Sequence, residues 1–229
     1  MYINGKNIED FNARLMADPK KSESNISLSY LKSIGGTALT LFNQEFGVKE
    51  LSFTLEFWAD SRNSAFIQKS NVLKELRGIC DIVLTDGFIY KSILSEISGE
   101  NQISSEIVQV NFKMVCMQCG QFQSVSFTGN TTLFNSGTMK SDCSISFLST
   151  SDINNFYFLL NGDIYNINKI TANTVFQVDG LKKKVLSGSN NAIGLTNFVD
   201  FPKLISGENT FLLSQQNVQV TLGYYPIYM

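Results

Sequence analysis

The chain has 229 residues, 43% hydrophobic and 17% charged, a balance that supports packed cores and excludes a disordered polymer. A net charge of -2 argues against a dedicated nucleic-acid binder, which needs a basic field to neutralise phosphates. Histidine is absent, so a Ser-His-Asp triad, a Cys-His pair and histidine metal ligands are all excluded.

In chain order, MYINGKNIED lacks an apolar core of signal-peptide length. No later run approaches the roughly 20 apolar residues of a membrane helix, so synthesis in a cytoplasm is expected. Ile8, Phe11 and Leu15 suggest an N-terminal arm or short strand, and Asp18-Pro19-Lys20-Lys21 a turn or loop. ISLSYL (26–31) puts Ile26, Leu28 and Tyr30 on one face. LSFTLEFW (51–58) alternates cleanly, with Leu51, Phe53, Leu55 and Phe57 on one side and Ser52, Thr54, Glu56 and Trp58 on the other.

The clearest helix spans 61–78. Asp60 or Ser61 caps it, Phe66, Ile67, Val72, Leu73 and Leu76 form its apolar stripe, and Gly78 ends it. ICDIVLT, Asp86-Gly87 and FIYKSIL then read as a hairpin. SGENQIS (98–104) reads as a polar loop. VQVNFKMVC (108–116) alternates again, with Val108, Val110, Phe112, Met114 and Cys116 facing a core.

The strand pattern lapses near 120–126, which divides the chain into domains at 1–122 and 123–229. The second domain has no convincing helix. CSISFLS (143–149) is a strand, NFYFLL and DIYNI flank an Asn161-Gly162 turn, and TVFQV and LKKKVL flank Asp179-Gly180. A long irregular loop follows at 187–197. VQVTLGYYPIY closes the chain with Val218, Val220, Leu222 and Tyr224 in register. Many short strands between turn signals suggest a β-sandwich, and the whole reads as mainly β with one α-helix.

No residue constellation announces a chemistry. There is no phosphate-cradling Gly-rich loop and no dinucleotide fingerprint. Cys116 and Cys119 have the spacing of a zinc or redox pair, but a tetrahedral site would need Cys80 and Cys143 to converge on them. The simpler reading makes Cys116 a small hydrophobe on its strand. Lys182-Lys183-Lys184 reads as a solvated hairpin strand protected from edge pairing, with phosphate binding as the alternative. Trp58, the sole tryptophan, packs or meets a neighbouring subunit rather than serving as a sugar platform. Tyr224, Tyr225 and Tyr228 read as core and strand-end residues. No catalytic, cofactor-binding or metal-binding residue is assigned, and no enzyme activity is expected.

Taken in order, several segments resemble the distal tail protein (Dit) family of long-tailed, non-contractile phages. DFNARL (10–15) resembles the family's early segment, and LKELRG followed by ICDIVLTDGFIYKSIL its helix and hairpin. NSGTMKSDCSISF (135–147) resembles an Asn-x-Gly-Thr-x-x-Ser-x-Pro-x-Ile pattern, with Cys143 in place of the proline. Asp179 matches an aspartate at a strand end before a turn. FPKLISGENTF (201–211) matches Phe-Pro-x-Leu-x-x-Gly-x-Asn, and VTLGYYPIY (220–228) a final strand ending in Tyr-x-Pro-x-Tyr.

The resemblance implies an N-terminal, ring-forming β-sandwich-like domain with one helix, and a galectin-like antiparallel β-sandwich after it. It implies a hexameric ring, a baseplate hub at the virion's tail tip, assembled in the host bacterial cytoplasm. That ring joins the tail tube protein to the tail-tip and receptor-binding proteins of the host-attachment apparatus. DNA crosses it only as passing cargo, with no cofactor and no membrane insertion. The competing reading is a carbohydrate-binding adhesin that recognises host cell-wall sugars through the sandwich. Against it, the second domain has no His, Arg or Trp, the side chains a galectin-type site would use. A cell-wall hydrolase is disfavoured by the missing motifs.

Overall fold

The computed structural model describes residues 1–32, 39–104 and 106–229. It divides into two units, Met1–Cys119 with Met229, and Gly120–Tyr228. The fold is mainly β, with a single α-helix among the described residues.

In the first unit, short N-terminal strands β1 (Tyr2–Ile3), β2 (Lys6–Asn7), β3 (Ala13–Leu15) and β4 (Lys20–Lys21) precede β5 (Ile26–Lys32), β6 (Leu39–Phe46) and β7 (Lys49–Trp58). Helix α1 (Arg62–Glu75), β8 (Ile79–Val83), β9 (Ile89–Gln102) and β10 (Ile107–Cys119) follow. The main sheet is antiparallel, ordered β2-β1-β8-β9-β10-β7-β3, with β4 added on β7. The two alternating segments meet in register: Leu51, Phe53, Leu55 and Phe57 pair with Met114, Phe112, Val110 and Val108. All eight are buried, and Phe53 stacks on Phe112 with ring centroids 5.4 Å apart. Ile8 and Phe11, in a 3-10 turn, join this core.

Ser61 is the helix N-cap, its Oγ accepting the Ser64 N–H at 3.3 Å. The helix lies on β7 and β10 through Ala65, Val72 and Leu76, a spacing of seven and four residues that keeps one face. Ile67, expected in that stripe, is 59% exposed because it falls on the opposite side from Ala65 and Val72. Leu73 is only partly buried against the same core.

Several expectations about turns and loops are corrected. Val83 pairs with Ile89, so residues 84–88 form a five-residue loop rather than a two-residue turn at Asp86-Gly87. The Gly87 N–H donates to Leu84 O, and Gly87 alone in this loop takes positive φ, which suits a turn of the commoner hand followed by a left-handed residue. The stretch 98–102 is strand: Ser98, Asn101 and Gln102 pair with Asn111, Gln109 and Val108. Its side chains are polar because both faces meet solvent. Near the start of the second unit, where the sequence alternation lapses, Gln123–Thr128 is a strand whose exposed face is serine-rich.

The second unit stacks two antiparallel sheets. One orders β11 (Gln123–Thr128), β21 (Gln219–Tyr224), β13 (Ser141–Leu148), β16 (Phe176–Asp179), β17 (Lys184–Ser187) and β18 (Asn190–Asn191), with β19 (Lys203–Leu204) beside β13. The other orders β12 (Thr131–Asn135), β20 (Gly207–Leu213), β14 (Ile153–Leu160) and β15 (Asp163–Ile170). A short β22 (Ile227–Tyr228) ends the chain. Phe147 of the first sheet meets Phe156 and Phe158 of the second, at 5.3 and 5.1 Å between centroids, so the core is an aromatic layer between sheets. Truncating any of these rings to alanine costs roughly 3–5 kcal/mol.

Asn161 and Gly162 form the expected two-residue turn, with φ of 55° and 92°. The second expected turn is longer: Asp179 pairs with Lys184, leaving 180–183 as a loop. The Asp179 carboxylate caps it, accepting the N–H groups of Leu181 and Lys182, each at 3.1 Å. Gly180 is required by approach rather than by turn geometry, because a Cβ there would lie 2.6 Å from Cys143 O.

Candidate functional site

Among the described residues, the ribbon of β5 and β6 stands apart: its strands pair with each other and with no other strand. Ile26, Leu28, Tyr30 and, across the ladder, Leu41 and Phe46 share one face. A register shift between Ser29 and Tyr30 leaves Phe42 as the extra residue. Ile26, Leu28, Tyr30, Leu41 and Phe42 are between 53% and 67% exposed, and Leu31 is 60% exposed. An isolated two-stranded ribbon is marginal in water. Exposed apolar faces and two open edges of this kind mark protein-interaction surfaces. Sequence reading found the β5 face but missed β6, because the bulge at Phe42 breaks the alternation in LTLFNQEF.

The four cysteines are buried free thiols. Cys80 and Cys116 flank Ser92 from neighbouring strands, and the Cys80 thiol donates to Ser92 O at 3.4 Å. Cys119, three residues beyond Cys116 on a regular strand, faces the opposite side, so the pair does not converge as a chelate. Burial pushes Cys80, Cys116 and Cys119 up to about 11 and Cys143 up to about 12. Such thiols carry almost no thiolate at neutral pH and are poor nucleophiles. Among the described residues no group of three or more Cys, Asp or Glu side chains gathers around a metal-sized space.

The lysine run is dispersed by its loop. Lys183 takes positive φ, and its ammonium pairs with Asp142 at 2.9 Å and lies over the Phe201 ring. Lys184 begins β17. Trp58, at the end of β7, is 39% exposed and lines a cleft with Asn12, Asp60, Gln68 and Glu106. Tyr224 is buried and donates its hydroxyl to Phe134 O at 3.0 Å.

No family model and no curated protein matches the sequence. Solved structures do match. The Dit (gp 19.1) protein of SPP1, a hub of the adsorption apparatus in phages infecting Gram-positive bacteria, superposes with a TM-score of 0.73. That likeness covers 99% of this chain and 98% of that one, at 12% identity. The chain has the fold of a phage hub protein. The phage p2 baseplate in its activated conformation with calcium, and the same baseplate with strontium, each match with a TM-score of 0.56 at 7% identity. Those likenesses cover 95% of this chain and 92% of the other. At such identities the likeness establishes the architecture, and the role rests on the surface.

Proposed function

We propose that this chain is a structural protein of a long-tailed phage or prophage-derived particle, acting as the distal tail protein. In this reading residues 1–122 form a hexameric ring and residues 123–229 a galectin-like sandwich. The ring joins the tail tube to the tail-tip and receptor-binding proteins, and DNA passes through its central channel. The subunit is made in the host bacterial cytoplasm and resides at the tail tip of the virion.

The observation that carries this is the ribbon of β5 and β6. Its apolar face is exposed among the described residues. A ring needs a head-to-tail contact whose rotation closes, and a projecting ribbon with open edges suits one. A near-neutral chain, net charge -2, would let DNA pass without holding its phosphates. The role requires no bond-making side chain, so catalysis is no part of it. The supporting likeness is to the hub protein of SPP1 along the whole chain.

Light scattering and electron microscopy of the purified chain test the reading. A closed ring, alone or on adding tail-tube or tail-tip protein, is expected. A lasting monomer indifferent to both overturns it.

A further inference from the structure

The cleft at Trp58 is built from three separated segments. Trp58 ends β7, Asn12 closes the 3-10 turn at 8–11 in the left-handed conformation, and Glu106 precedes β10. Backbone bonds hold the frame: Trp58 N–H donates to Asn12 O at 3.1 Å, and Ala59 N–H to Glu106 O at 3.0 Å. Helix α1 adds Ser64 and Gln68 from its first turns. The cleft, open to solvent on one side, has a volume of about 580 Å³, within the roughly 300–1,000 Å³ of small-molecule sites.

Two properties of the lining set the ligand's chemistry. First, the side chains of Asn12, Asp60, Gln68 and Glu106 make no hydrogen bond or ion pair within the described residues, in contrast to Glu56, which accepts from Arg14 and Gln109. Four flat, two-headed polar groups are therefore free beside one indole ring. Second, the charged side chains of the lining, Asp60 and Glu106, are both acidic. Arg14 lies over the Trp58 ring, 5.8 Å from its centre, and its Nε donates to Glu56 at 2.8 Å.

We propose that this cleft binds an uncharged pyranose saccharide. The indole supplies an apolar plane for the C–H face of the sugar ring. Each carboxylate or carboxamide offers paired sites to adjacent hydroxyls, which an apolar ligand cannot use. Asp60 and Glu106 repel uronic acids and phosphates. The cleft is complete within one subunit, so sugar binding can be read on the unassembled chain, and only an assembly that buries Trp58 would remove it.

The chain's sole tryptophan makes the test direct, because its emission reports only this cleft. The full-length protein is titrated with maltose, cellobiose and N,N′-diacetylchitobiose, with glucuronate as the anionic control. A saturable change in emission is expected with at least one neutral disaccharide, at roughly millimolar half-saturation, and none with glucuronate. The double variant Asp60→Ala/Glu106→Ala should weaken that response at least about tenfold while keeping the melting temperature and the unliganded spectrum. Three outcomes overturn the proposal: no response to any disaccharide at about 100 mM, a double variant that titrates like the parent, or loss of acrylamide quenching of Trp58 on self-assembly. The last would mean that a second copy fills the cleft.

Discussion

Asn135 and Asn209 donate to the same acceptor, the carbonyl of Ile205, at 3.1 and 3.0 Å. Both are buried, on neighbouring strands β12 and β20. Asn209 Oδ1 also accepts from the Ile205 N–H and from Asn161 Nδ2, each at 2.8 Å, and its Nδ2 reaches Gly207 O at 2.9 Å. One carboxamide thus replaces a missing stretch of sheet ladder around the 205–207 turn. Asn209→Ala removes all four bonds and orphans buried groups, so a loss of about 2–4 kcal/mol is expected. Urea unfolding followed by far-UV circular dichroism measures it. A change below about 0.5 kcal/mol would mean that water replaces the amide freely.

Asp86 holds a second junction. It accepts the Tyr90 hydroxyl at 2.6 Å, the Phe88 N–H at 3.1 Å and the Lys21 ammonium. Burial acts to raise its pKa, but these donors together bring it below the usual value. A depressed carboxyl stabilises the fold above its unfolded pKa of about 4 and stops doing so as pH falls through the lower folded value. The parent should therefore lose stability on acidification below about pH 4, and Asp86→Asn should flatten that slope. Burial, then Asp86, pushes Tyr90 up to about 12, so its contribution is complete below pH 10 and fades toward 12. Denaturation midpoints collected across pH check both limbs, and an unchanged acid limb in Asp86→Asn would refute the first.

The thiols give a kinetic prediction. With thiols at about 11, only roughly a thousandth is thiolate at pH 8. Ellman's reagent should label none of Cys80, Cys116, Cys119 and Cys143 rapidly in the folded protein, and all four after denaturation. Burst labelling of any one under native conditions would contradict its burial. The sign for stability is the same as for Tyr90: raised thiols favour the fold below pH 9 and cease to do so as pH climbs toward 11–12.

What was legible in the sequence had a period or a sharp local rule. The faces of 51–57 and 108–116 followed from alternation because each strand has one dry side. Asn161-Gly162 specified its turn because both residues tolerate positive φ. The motif residue Asn209 was visible as a resemblance, but its role needed the third dimension. Elsewhere, packing overrode the local signal. Ile67 points to solvent although its neighbours are helical and apolar, because Ala65 takes the inner position. Glu56 looked like a solvated outer residue and is buried, held by Arg14 and Gln109 from strands that sequence spacing does not link. The Trp58 cleft joins residues 12, 58 and 106, a convergence with no linear signature.

The ribbon supplies the last prediction. Leu28, Tyr30 and Leu41 share its apolar face and are each more than half exposed. Replacing all three with serine should leave the stability of the separated subunit within about 0.5 kcal/mol, as for other surface sites. In an assembly that covers this face, each truncation forfeits roughly 1–1.5 kcal/mol of apolar burial. Together that is roughly 4 kcal/mol per contact, or about a thousandfold in the association constant. Sedimentation or light scattering at fixed concentration should then find the triple variant monomeric under conditions where the parent assembles. Equal assembly of both would assign the contact to another surface. A large drop in subunit stability would mean instead that the ribbon folds back on its own chain.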